Sequence, residues 1–113
     1  MKLRKNHEFA RVYRFGAYRA DRLLTVYALR NGKEKSYFGV SVGKKVGGSV
    51  VRSRVARLLR EAVRRNAGEV LPGYDIVVLA RKGSGGEKLV SFENSYINLM
   101  KRNRVYRGAG DNK

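Results

Sequence analysis

Apolar residues recur at helical spacing along GKKVGGSVVRSRVARLLREAVRRN, residues 43–66. At roughly 100° per residue, Val51, Val55, Leu58, Leu59 and Ala62 gather on one side of a helix. Arg54, Arg57, Arg60, Arg64 and Arg65 gather on the other, with Glu61 among them and Arg52 near the boundary. One face can bury, and the opposite face carries guanidiniums. Ser49 is the expected N-cap, Gly47 and Gly48 allow a sharp entry, and Gly68 is the expected stop.

The same reading extends along the chain. Phe9, Val12, Tyr13 and Gly16 are spaced for a helix over residues 7–15, capped by Asn6 and ended by Gly16. Phe9 and Tyr13 share one of its faces. Residues 23–30 read as a strand, with Thr25, Tyr27 and Leu29 pointing one way and Leu24, Val26 and Ala28 the other. Asn31-Gly32 signals a turn, and residues 36–43 form the next strand, expected to pair with the one before. Phe38, Val40 and Val42 make its apolar face; Tyr37, Gly39 and Ser41 make a small, partly polar one. Residues 74–80, YDIVVLA, are nearly all apolar, as in a strand covered on both faces. Strand, long helix, strand predicts a parallel crossover. KGSGGEK, residues 82–88, reads as a flexible surface loop. Ser91 is expected to cap a last helix over residues 92–106, with Phe92, Tyr96, Leu99 and Met100 buried. The pattern fits one domain over residues 1–113, with a short basic arm at the start and a tail expected to be disordered from about residue 107.

Charge gives the long helix a purpose. Lys and Arg number 26 against 9 Asp and Glu, a net charge of +17. A solubilising face mixes signs, but here six arginines between residues 52 and 65 meet one carboxylate. Arg52 and Arg54 lie where the helix dipole disfavours cations, a cost that a docked polyanion reverses. The planar guanidinium fork suits bidentate phosphate contacts. Self-repulsion at this charge opposes folding, so a polyanionic partner stabilises the fold. Nucleic acid is the first candidate and an anionic membrane surface the second. No apolar run approaches the roughly 20 residues of a spanning helix, and no secretory signal pattern opens the chain.

Catalytic chemistry is poorly represented. The absence of cysteine excludes disulfides and thiolate metal sites and fits a reducing, cytoplasmic setting. His7 is the lone histidine, so a zinc site is not expected. The carboxylates are scattered, and no HExxH, Walker-A or GxSxG pattern occurs. A hydrolytic or transferase site made by this chain alone is therefore not expected. A sheet face carrying aromatic and small polar groups can instead admit an unpaired nucleotide strand.

At GVSVGKKVGGSVVRSRVARLLREAVRR the chain resembles the bacterial ribonuclease P protein component. Lys44, Lys45, Gly47, Val50, Arg52, Arg54, Arg57, Arg60 and Glu61 match that family's signature in register. KNHEFARVYRFG resembles its first helix, and YDIVVLARK its last strand and the turn after it. The resemblance covers about residues 3–104. Three positions depart: Gly48 and Ser53 stand where Asn is usual, and Ala56 where Lys is usual.

The resemblance implies an α+β fold, a two-layer α/β sandwich in αβββαβα order with a left-handed βαβ crossover. Generic crossovers are right-handed. It implies the protein component of an endoribonuclease whose catalyst is an RNA. That RNA removes the 5′ leader of precursor tRNA with Mg²⁺, and the protein binds no cofactor tightly. The implied partners are the catalytic RNA and precursor tRNA, with no membrane and no DNA. Phe9, Tyr13 and Tyr27 match the family's aromatic cleft for the leader, and Tyr37 and Ser41 share the adjoining face. Lys44, Lys45, Arg52, Ser53, Arg54, Arg57, Arg60 and Arg64 are expected on the catalytic-RNA side; no catalytic residue is assigned, and metal ligands are left open. The alternatives are a ribosomal or other structural RNA-binding protein, a protein-only nuclease and a DNA-binding regulator. The nuclease would need a carboxylate cluster, and the regulator a helix-turn-helix.

Overall fold

In the computed structural model, which describes residues 2, 3 and 5–108, the elements follow the expected order. They are α1 (Asn6–Phe15), β1 (Ala17–Ala20), β2 (Leu24–Arg30), β3 (Tyr37–Val42), α2 (Ser49–Arg65), β4 (Tyr74–Ala80) and α3 (Leu89–Arg102). One sheet runs β1-β2-β4-β3. The first two pairings are antiparallel, and β3 lies parallel to β4 with α2 as the crossover between them.

The expected β2–β3 hairpin does not form, because β4 inserts between them. The Asn31-Gly32 turn is present, with Gly32 at φ +70° and the Asn31 amide donating to the Lys35 carbonyl at 3.1 Å. It delivers the chain to the far edge of the sheet rather than to the next strand. The reason is burial. β4 is the most apolar strand, and the centre of the sheet is the place where both its faces are covered. Ile76 and Val78 pack under α2 and α3, while Val77 packs under α1 with Leu3 and Val12. Phe92, Tyr96, Leu99 and Met100 are fully buried on α3, and Val55, Leu59 and Ala62 on α2.

Several element ends differ from the sequence expectation. Gly48 occupies the N-cap of α2 and Ser49 its first turn. The helix stops at Asn66, before Gly68, because the Asn66 amide turns back to the Ala62 carbonyl at 2.8 Å. Lys5, not Asn6, caps α1, with its N–H donating to Glu8 Oε1 at 2.9 Å. Lys88 caps α3, which ends four residues early. Asn103 donates to the Val26 carbonyl, Arg104 takes φ +61°, and Tyr106 then bridges back to Val70. Of the tail expected from about residue 107, residues from 109 on lie outside the described part. Arg107 donates its N–H to the Glu69 carbonyl at 2.7 Å. Residues 82–88 are fastened rather than loose: Ser84 is buried, and its hydroxyl donates to the Arg81 carbonyl at 2.7 Å.

The turn between β1 and β2 is held by Asp21. Its Oδ1 accepts from the Leu23 and Leu24 amides at 2.9 and 3.0 Å, and its Oδ2 accepts from the Ser95 hydroxyl of α3 at 2.5 Å. Burial alone would raise its pKa. The bonds from Ser95, Leu24 and Leu23 outweigh burial and hold it below the ordinary 3.8. A depressed carboxyl contributes stability that is present above its unfolded pKa and lost as pH falls through its folded one. Asp21→Ala is expected to cost about 1–3 kcal/mol at neutral pH in urea titrations. The variant should also lose less stability than the parent as pH drops below about 4.

Candidate nucleic-acid interface

Strand register sets one row of residues across the α1 side of the sheet: Tyr18, Tyr27, Val77 and Gly39. α1 lies over this row. Phe9 sits on Gly39 so closely that a Cβ there would stand 2.5 Å from the Phe9 ring, so only glycine leaves room for it. The rings then follow one another. Phe9 and Tyr13 are 6.5 Å apart between centroids, Tyr13 and Tyr27 are 5.0 Å apart edge to face, and Tyr27 and Tyr18 are 5.5 Å apart. Burial, then the Tyr13 and Tyr18 hydroxyls beside it, push the Tyr27 hydroxyl above its usual range.

The structure brings together Phe9, Tyr13 and Tyr27 as expected from the sequence, although Tyr27 reaches the Gly39 face across β4 rather than directly. Ser41 lies on the same face, in the row with Leu79 and Thr25. Tyr37 stands one row to the other side. Its ring is covered by the Lys33 ammonium at 4.8 Å, and among the described residues it makes no ring contact with the other three. Tyr18 was missed. AYRA has no apolar alternation, so nothing local marks β1 as a strand or Tyr18 as a neighbour of Tyr27.

The arginines of α2 divide by what they already hold. Arg57 and Arg60 are exposed and line an open hollow with Ser49, Val50, Ser53 and Arg54. Lys44 and Lys45 are exposed in the turn before the helix. Arg54 is half-buried and donates from both terminal nitrogens to the carbonyls of Gly85 and Glu87, at 3.2 and 2.9 Å. It is the clamp that fastens the 82–88 loop. Arg64 forms a two-pronged pair with Glu61, at 2.9 and 2.6 Å. The Arg64 hydrogen bonds hold the Glu61 carboxyl below its usual range. Arg52 is half-buried, with its Nε enclosed and unpaired.

The two surfaces meet. A groove of about 800 Å³ runs along the β3 edge, with Phe9 and Gly39 on one side and Arg57, Leu58 and Arg60 on the other. Lys2 and Leu3 also line it, paired alongside β3 where the Leu3 N–H donates to the Phe38 carbonyl at 2.9 Å. Phe9, at one end of the ring row, thus shares a groove with Arg57, Arg60 and the paired Glu61 and Arg64 of α2.

A mixed sheet with rings on its α1 face and a guanidinium-bearing helix on the other defines a small basic protein suited to a polyanionic partner. Residues 1–104 match the Ribonuclease P family model. The ribonuclease P protein component of Clostridium kluyveri is 44% identical over 108 residues, spanning 94% of this chain and 96% of that one. Among solved structures, the Staphylococcus aureus RNase P protein superposes with a TM-score of 0.84 at 29% identity, covering 94% of this chain and 97% of its own. The Thermotoga maritima RNase P protein gives 0.81 at 29% identity, covering 90% and 96%. The chain belongs to the ribonuclease P protein component family. The ribosomal alternative is set aside by that membership.

Proposed function

We propose that the exposed face of α2 docks on a catalytic RNA while the ring row holds the single-stranded 5′ leader of precursor tRNA. The observation that carries this reading is the one groove that Phe9 and Gly39 share with Arg57 and Arg60. A strand lying there stacks bases on rings at one end and meets guanidiniums at the other. Among the described residues, no three His, Asp or Glu side chains come together. On this reading the Mg²⁺ ions are held by RNA phosphates. The RNA performs the cleavage; the protein binds, orients and neutralises. Among the described residues, no helix is long and apolar enough to cross a membrane. On this reading the protein works in the cytoplasm, beside its RNA partners.

The test is cleavage of precursor tRNA by the cognate RNA at low Mg²⁺, with and without the protein. Addition of the protein is expected to raise the rate many-fold. The protein alone, treated with RNase and freed of that nuclease, is expected to cleave nothing at any Mg²⁺ concentration. Reproducible 5′ cleavage by the treated protein would overturn the division of labour.

A further inference from the structure

We propose that Tyr18 is the outermost stacking residue of the ring row and sets how far along the leader the protein reads. This rests on the reading of the row as the leader site. Tyr18 stands directly opposite Tyr27 in the β1–β2 register, so both side chains leave the sheet on the α1 side. Their rings lie 5.5 Å apart and 38° from parallel. Tyr18 is 58% exposed, against 37% for Tyr13. It lies on a four-residue edge strand whose other members are Ala17, Arg19 and Ala20. A ring that open contributes little to the core, and β1 needs no aromatic to pair with β2. What it offers is a flat apolar face beside a row of other rings.

The row also has a direction. Its Phe9 end opens into the groove bordered by Arg57 and Arg60, and its Tyr18 end is the opposite edge of the sheet. A strand that starts at the arginine helix crosses Phe9, Tyr13 and Tyr27 before it reaches Tyr18. If α2 faces the catalytic RNA, the bases at Tyr18 are those farthest from the scissile phosphate. Stacking accepts any base, and the larger purine ring covers more of the tyrosine face, so a purine is favoured there.

The experiment uses holoenzyme reconstituted with the cognate RNA and precursor tRNAs whose leaders grow one nucleotide at a time. With the parent protein, affinity is expected to climb with leader length until Tyr18 is reached. Tyr18→Ala should remove the last step, a loss of about fivefold to tenfold. Shorter leaders and mature tRNA should bind as before. Tyr18→Phe keeps the ring and should restore the step. Tyr18→Thr keeps a good strand former and should behave like the alanine variant. Tyr13→Ala, run alongside, should already weaken shorter leaders. Parent-like affinity of the Tyr18→Ala holoenzyme at every length overturns the inference, and a Tyr13→Ala loss in the same series leaves the leader site standing. Equal loss at all lengths, mature tRNA included, makes Tyr18 structural and also overturns it. Parent-like affinity of both variants at every leader length overturns the leader site itself.

Discussion

Holoenzyme carrying Tyr13→Ala or Tyr27→Ala is expected to bind leader-bearing precursor tRNA about fivefold to a hundredfold more weakly, with mature tRNA almost unaffected. Each base stacked on a ring is worth about 1–3 kcal/mol, and an unpaired leader has bases free to stack. Tyr13 is partly exposed and Tyr27 half-buried, so both rings have surface to offer. Mature tRNA has no leader and never meets them. The binding of both tRNAs, with circular dichroism to confirm folding, measures the difference. Equal losses for the two tRNAs in a folded variant would show that these rings do not hold the leader. Phe9 is a poorer probe. It packs with the buried cluster of Leu3, Val12 and Val77, so its removal unsettles the seat of α1 as well as the site.

Binding of the protein to the RNA is expected to weaken steeply with salt, and Arg57→Ala and Arg60→Ala should each flatten the log–log slope by about one unit. Each neutralised phosphate releases condensed counterions, with a slope of about −0.7 to −0.9 per contact. Neither side chain has an acidic partner among the described residues, so both are available for phosphate. The fold should survive both changes, since exposed positions usually alter stability by less than about 0.5 kcal/mol. Arg54→Ala is the contrast. Its guanidinium is spent on the Gly85 and Glu87 carbonyls, so the slope should change less while stability falls by about 1–3 kcal/mol. Unchanged slopes in both the Arg57 and Arg60 variants would falsify the RNA-facing assignment of this side of α2.

The Arg54 case shows where reading the chain alone runs out. Helical periodicity placed it among the outward arginines. Its true partners lie thirty-one and thirty-three residues away, in a loop read as loose. Arg64 differs because Glu61 lies three positions before it, within reach on the same helix. The spacing allows that pairing, although Arg64 was expected among the RNA-facing arginines; the clamp leaves no such local trace. The caps follow the same rule. Ser49 and Asn6 were good local candidates, but each fell into the first turn because the residue before it was already extended.

The sequence by itself determined what depends on near neighbours and on totals. Periods of 3.6 and 2 placed α2, β2, β3 and the buried stripe of α3, because burial on one face leaves a repeat in the chain, and an unbroken apolar run placed β4. A net charge of +17, with six of the arginines on one helix, named the class of partner. The tertiary structure alone decided the strand order, and with it which rings meet. β4 took the centre because only there are both its faces dry. That put Gly39 and Tyr27 on either side of Val77, and it left β1 as an edge strand defined by pairing rather than by pattern. Contacts across the sheet join residues far apart in the chain, and no local periodicity records them. The row from Phe9 to Tyr18 therefore exists only once the sheet has assembled.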